Sequence, residues 1–285
     1  MATLAAPSRP ISERRNGMVN FGIQIVMALA LVVLFPIAFG MSWSNFRPLL
    51  QPDALRFLSI GVFATIIVSL VAILVSLPVA TGLALGRLAS QPLIRWPCIV
   101  FIEVVRSLPL LLLIFYINLR LPGLGVFERM ATGEGYVGLV IGQALSRAGL
   151  AVMVALTLYT AAVNAELLRS GILSLDRGQT EAARSLGMTY WQTMRLVILP
   201  QAFRRILAPL IAQFTILLKD SSLGAIIGFI ELLRRAQILF QQNFNPMEAL
   251  YVVALIYFVL NYLLGLSSRL IERRRPSVHV PLSEV

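Results

Sequence analysis

Stretches of apolar residues too long to fold away in a soluble core recur along this 285-residue chain. About 18 such residues in a row suffice for a helix to cross the ~30 Å hydrocarbon layer of a membrane. Runs at Met18–Phe39, Phe57–Leu85, Leu93–Leu119, Ala148–Leu168, Phe203–Phe229 and Ala249–Leu266 meet that test. The expected fold is an all-α membrane protein with six transmembrane helices. With 58% of residues hydrophobic and a mean hydropathy of +0.83, there is too little polar surface to coat a soluble globule.

The charged minority excludes several functions. A net charge of +11 could suit nucleic acid, but the basic residues lie mostly between the apolar runs, where topology signals sit. Cys98 is the only cysteine and His279, in the C-terminal tail, the only histidine. Neither a thiolate cluster, a His-rich metal site nor a Ser-His-Asp triad can be assembled from them. The one lysine, Lys219, stands in ILLKDSS with no glycine-rich loop before it. The chain thus lacks a phosphate-cradling loop and is expected to bind no cofactor itself. If ATP is used, ATP and Mg²⁺ sit on another polypeptide.

Charge also orients the chain. Residues 1–17 read as a polar tail, and 18–40 as an uncleaved helix, longer than the ~7–15-residue core of a signal peptide. The segment 41–55, with Trp43, Pro48 and Pro52, reads as a loop on the far side. Pro78, inside the second run, has Ser76 and Thr81 close by to satisfy backbone groups that it frees. The weakly apolar piece Tyr136–Leu145 is too short to span and is expected to lie in the interface. With six crossings, the side holding both termini receives 15 Lys and Arg residues and the other side 7. That bias places both termini in the cytoplasm, with 269–285 as a second tail.

The same side receives a long polar loop at 174–200. Asp176 with Gln179, and Thr189 with Gln192, each have the spacing of a helix N-cap and its third residue. Gly187 stands where a left-handed residue would close the first helix, and Leu199-Pro200 is expected to separate the loop from the next span. Two short helices joined by a glycine turn result. Arg177, Glu181 and Arg184 are spaced to form a salt-bridged ladder on one face. Ala182 and Ala183 offer a thin surface for close approach. Loops between bundled helices usually run ~2–8 residues, so a docking surface competes here with a merely solvated loop.

The residues of this loop, Glu181-Ala182-Ala183, Gly187 and Ile198-Leu199-Pro200, resemble the EAA loop of bacterial ABC importer permeases, apart from a small offset in spacing. The flanks EVVRSLPLLLLIFY (103–116), LPQAFRRILAPLIAQFTILLKDSSLGAIIG (199–228) and ELLRRAQ (231–237) are similar to the branch holding histidine, glutamine and glutamate permeases. The resemblance spans about residues 56–275. It implies a MetI-like transmembrane domain over 56–268, paired with a second permease copy or a paralogue. It further implies a cytoplasmic ATPase dimer, an extracytoplasmic amino-acid-binding protein, and a bacterial inner-membrane location. Carried over, Glu181, Ala182, Ala183 and Gly187 become the coupling surface, closed by Leu199 and Pro200. The family's minimal core has five spans, so 18–40 is an addition.

Charges near the centre of a span cost ~2.5–3.5 kcal/mol each on insertion scales, so they face a cavity or a partner. Glu103, Arg106 and Ser107 share a helical face about 15–20 Å into the third span. Lys219, Asp220 and Ser221 interrupt the fifth, and Asn164 and Glu166 lie near the inner end of the fourth. Two readings stand. In one, these groups meet a zwitterionic amino acid along a translocation path; in the other they pair internally, as Glu103 with Arg106 or Glu166 with Arg169. The expected function is a permease subunit of an ATP-driven importer, without catalysis of its own. Its cargo is a polar amino acid, with a lean toward glutamate, aspartate or glutamine. The alternative is an ion-coupled secondary amino-acid transporter, which inverted hydropathy repeats would favour; none stands out.

Overall fold

The computed structural model describes residues 32–121 and 135–273, with side chains to residue 267. The expected N-terminal tail, most of the first expected span and the C-terminal tail beyond residue 273 fall outside the described residues; 269–273, expected in that tail, are helical. Every regular element among those described is helical.

The long helix α1 (Pro52–Leu88) begins with Pro52 in its first turn and Asp53 beside it, both favourable at a helix N-terminus. It carries a stripe of mostly small residues four apart, Ala64, Val68, Ala72, Ser76, Ala80 and Ala84, all buried. Such a stripe lets backbones approach closely where lipid offers no hydrophobic drive between helices. Along it packs α5 (Arg147–Leu173), which buries its own Ala151, Ala155, Ala162 and Ala165. Pro78 sits within α1 without ending it, but the expected repair differs. Ser76 Oγ donates to the Ile73 carbonyl at 2.7 Å and Thr81 Oγ1 to that of Leu77 at 2.8 Å. Neither hydroxyl takes the Leu74 carbonyl, the one that a proline at 78 leaves free.

The expected third span is broken. Helix α2 (Pro92–Ser107) and helix α3 (Leu110–Arg120) meet at a bend of 104°. Pro109 is the cause: Leu108 before it is extended, at φ −76° and ψ 134°. Helix α4 (Gly135–Leu145), the short apolar piece expected in the interface, packs on α1 and α5 and buries Val140, Gly142 and Ala144.

After α5 come the short helix α6 (Arg177–Ser185) and the continuous helix α7 (Tyr190–Ile227). The expected break at Leu199-Pro200 is absent. Leu199 is helical, at φ −59° and ψ −44°, and its N–H reaches back five residues to the Met194 carbonyl. A π-turn over Thr193–Ile198 thus absorbs the proline. Toward its far end, α7 tightens to a 3₁₀ turn, Ser221–Ile227, at the polar interruption seen in the sequence. Helix α8 (Leu232–Asn243) and helix α9 (Pro246–Arg273) complete the bundle.

Four described helices, α1, α5, α7 and α9, are long and apolar enough to cross a membrane, and the bent α2–α3 pair makes a possible fifth by length and composition. Contacts sort the connections into two ends. Arg87, Glu166 and the α6 region meet at one end, the loop end. Ser59 with Tyr136, Asn118 with Arg147, and Asn45 with Glu248 meet at the other.

Candidate functional site

At the loop end, Asp176 caps α6, its Oδ1 accepting from the Gly178 N–H at 2.8 Å. Gln179 does not reciprocate; its Oε1 accepts from Gln201 Nε2 on α7 at 3.2 Å. The second box is complete. Gln192 Oε1 accepts from the Thr189 N–H at 2.9 Å, and Thr189 Oγ1 from the Gln192 N–H at 3.4 Å. Gly187 adopts φ +77°, and the N–H groups of Met188 and Gly187 close α6 on the Ala183 and Arg184 carbonyls.

The expected Arg177–Glu181–Arg184 ladder does not form, and all three side chains stand exposed. No ion pair joins them among the described residues. An exposed pair gains too little in water to hold two long side chains in place. Ala183 turns inward, 4% exposed, against the π-turn, so only Ala182 of the two alanines lies on the outer face. That face carries Glu181, Ala182, Gly187 and Leu186, an apolar side chain left 80% exposed. Leu199 and Pro200 sit within α7, half-buried and exposed respectively.

Just inside the loop end lies an ionic chain. Arg87 Nη1 reaches Glu103 Oε1 at 2.9 Å and Glu166 Oε2 at 3.2 Å, and Glu166 in turn holds Arg169 Nε at 3.0 Å. The Glu166–Arg169 pair matches the sequence reading. The Glu103–Arg106 pair does not: Ile102, fully buried in the apolar cluster of Ala80 and Ala84, lays α2 back over the end of α1 and carries Glu103 to Arg87. Arg106 and Ser107 remain exposed, Ser107 Oγ donating to the Val104 carbonyl. Lys219, exposed, and Asp220, half-buried, lie toward the opposite end; Ser221 is buried with its Oγ on the Leu218 carbonyl. The Glu103–Arg106 and Lys219–Asp220 groups thus lie toward opposite ends of the bundle.

Between the ends, α1, α5 and α7 bury a polar patch. Asn164, 1% exposed, donates from Nδ2 to Ser76 Oγ at 3.2 Å, and its Oδ1 has no partner. One turn away, the Thr160 hydroxyl is fully buried and equally unpartnered. On α7, Gln213 is 7% exposed, one turn before Leu217, whose carbonyl accepts from Ser69 Oγ at 3.2 Å. A buried polar atom without a partner carries the cost of its lost water. Asn164 and Thr160 thus leave hydrogen-bonding capacity unused in the bundle interior. Thr160 and Gln213 escaped the sequence reading, because a Thr or a Gln in an apolar run carries no charge to flag it.

The opposite end holds a second surprise. The stretch 230–247, between the fifth and sixth apolar runs, contains α8, with its N-cap Glu231 fully buried. Glu231 accepts from the N–H groups of Leu233 at 2.9 Å and Arg234 at 2.8 Å and from the Tyr257 hydroxyl at 3.1 Å. Burial pushes its carboxyl above the usual carboxylate range. Arg235, 4% exposed, lays its guanidinium over the Phe57 ring at 4.3 Å. The apolar residues Leu232, Leu233, Ala236, Leu239 and Phe240 were the available signal, spaced for one helical face.

Comparison with known proteins places this geometry. Residues 78–276 match the family model described as binding-protein-dependent transport system inner membrane component. The probable glutamine ABC transporter permease protein GlnP of Bacillus subtilis is 37% identical over 230 residues, covering 78% of this chain and 95% of that one. The glutamate transport system permease protein GluD of Corynebacterium glutamicum is 39% identical over 214 residues, or 75% and 73% of the two chains. A solved structure, the crystal structure of an amino acid ABC transporter with histidines, superposes with a TM-score of 0.62 at 32% identity, covering 77% of this chain and 94% of that one. The chain belongs to the family of binding-protein-dependent transport system inner membrane components, as a permease of the polar amino-acid ABC importers.

Proposed function

We propose that the chain, paired with a second permease chain, forms the path by which an ATP-driven importer moves a polar amino acid into the cytoplasm. In this reading α6 is the coupling helix. Its outer face of Glu181, Ala182, Leu186 and Gly187 docks on a cytoplasmic ATPase dimer, and Ala183 braces it from beneath. Leu199 and Pro200, within α7 just past its π-turn, close the coupling segment. ATP and Mg²⁺ belong to that ATPase, and an extracytoplasmic binding protein delivers the cargo. Both termini face the cytoplasm, residues 18–40 add a span to the 56–268 domain, and 1–17 and 269–285 are cytoplasmic tails.

The observation that carries the reading is α6 itself: a helix capped at both ends that nevertheless leaves Leu186 80% exposed at the loop end. A capped, rigid helix with a bare apolar side chain suits a protein groove. The test is co-purification with the ATPase from membranes carrying Glu181→Arg or Gly187→Trp. Loss of the ATPase and of uptake is expected for both variants. Uptake that survives both changes without an ATPase would sink the proposal.

Along the path, the cargo meets Asn164, with Thr160 and Ser76 beside it. Glu103, Arg106, Ser107 and Glu166 line the inner mouth, and Lys219, Asp220 and Ser221 the outer approach. The cargo class proposed is glutamate, aspartate or glutamine, supported by the glutamine and glutamate names of the relatives. Uptake of labelled glutamate challenged by unlabelled glutamine, histidine and arginine ranks these directly. Competition by histidine or arginine alone would reverse the assignment.

A further inference from the structure

Three residues, Ser174 to Asp176, connect α5 to α6, and each is held in place. Ser174 caps the C-terminus of α5, where carbonyl groups lack intrahelical partners. Its carbonyl and its Oγ both accept from Arg205 Nη1 on α7, the hydroxyl at 3.0 Å. The negative end of the α5 dipole suits a guanidinium there. Leu175, 9% exposed, is packed into the apolar cluster of Met194, Ile198, Ala202 and Ile206. Asp176 caps α6.

The hold extends past the elbow. Gln201 lies one turn before Arg205 on the same face of α7, and its Nε2 donates to Gln179 Oε1 within α6. Beneath, α5 and α7 nearly touch: a Cβ on Gly171 would lie 2.6 Å from Ile206 Cγ2. One face of α7 thus grips the end of α5 and the first turn of α6 together. Without that grip the short connection has free torsions, and a displacement of α6 would be spent in bending it.

We propose that Arg205, with Gln201 beside it, is a positioning residue for coupling: it locks the α5–α6 elbow so that a push on α6 moves α5 and α7 as one body. This rests on the reading that α6 docks on the ATPase. The consequence is directional. Helix α5 carries Asn164 and Glu166, so the locked elbow links the docking helix to the polar patch in the membrane. Among the described residues the Arg205 side chain bonds Ser174, and through Ser174 it acts. Its fork lets one nitrogen serve two acceptors while the charge stays fixed.

The test uses the whole transporter, with ATPase and binding protein, in proteoliposomes. Uptake of labelled glutamine and glutamate and ATP hydrolysis are measured in the same vesicles. Arg205→Met keeps the aliphatic stem and removes the donors. It is expected to assemble normally and hydrolyse ATP, while amino acid moved per ATP falls about tenfold. Arg205→Lys, which can still donate to the Ser174 carbonyl, restores part of that ratio. The Gln179→Leu/Gln201→Leu pair, expected to lower the ratio to a lesser degree, carries the test should Arg205→Met fail to accumulate. A purely structural role lowers uptake and hydrolysis in step, and an unchanged ratio overturns the proposal. Failure of the underlying reading registers separately: Glu181→Arg still capturing the ATPase removes the docking role, and the clamp with it.

Discussion

The α6 loop and the buried patch around Asn164 are both polar interruptions in an apolar chain, and they treat their polar groups in opposite ways. In the loop, caps and turns satisfy the backbone at each break: Asp176 on Gly178, Thr189 with Gln192, and Gly187 and Met188 on the carbonyls of α6. What is left exposed is side chain, charged or apolar. In the patch, the Oδ1 of Asn164 and the hydroxyl of Thr160 lie buried with nothing to bond. A satisfied element keeps its shape when another body leans on it. An unsatisfied one gains when a polar molecule arrives. The contrast fits the proposed roles, a surface that transmits force and a place that exchanges partners.

The largest effect expected from breaking this contrast comes from the patch. Asn164→Leu keeps the side-chain size and removes both hydrogen-bonding groups, so uptake should fall about tenfold or more while ATPase co-purification stays unchanged. Uptake at the wild-type level would remove Asn164 from the path. Next is Gly187→Val. A branched side chain at φ +77° strains the backbone by about 1–2 kcal/mol, and amide exchange across 183–188 should quicken; Gly187→Asn, tolerant of that conformation, should change it little. Unchanged exchange in the valine variant would mean that the turn has another source of order.

The loop was legible because its signals are local. A cap and its partner sit three residues apart, and a left-handed glycine needs only its neighbours. The patch was not, because Ser76 and Asn164 come from helices 88 positions apart in the sequence, and only packing makes an asparagine an orphan. The ionic chain failed for the same reason. Glu103 and Arg106 looked like a pair on one helix, whereas the folded-back α2 delivers Glu103 to Arg87. Two prolines taught opposite lessons. Pro109 breaks a span that read as continuous, and Pro200 sits in a helix that read as broken, since a π-turn can absorb what an α-turn cannot.

Smaller perturbations sharpen the boundary. Asp176→Ala removes the α6 cap and should cost about 1 kcal/mol of local stability, visible as faster exchange in the first turn without loss of ATPase binding. Loss of binding would move Asp176 from the scaffold to the docking face. Smallest is Glu103→Gln. With that side chain 54% exposed, the change should cost under about 0.5 kcal/mol, and uptake should stay near the wild-type rate. A large fall would mean that Glu103 meets the cargo.

The π-turn at Thr193–Ile198 has a consequence for length. Each residue of an α-helix turns the chain by about 100°, and a π-turn is in effect an α-helix holding one residue more than its span requires. Losing a single residue within Thr193–Ile198 would therefore leave an ordinary α-turn and keep the phase on both sides. Losing one from the regular turns just after Pro200 would instead swing everything ahead of it by more than a quarter-turn about the α7 axis. The glycine turn, the capping box and the exposed leucine would survive such a deletion, yet the docking face would point elsewhere. In this segment the phase of the helix, as much as the identity of its residues, is what has to be inherited.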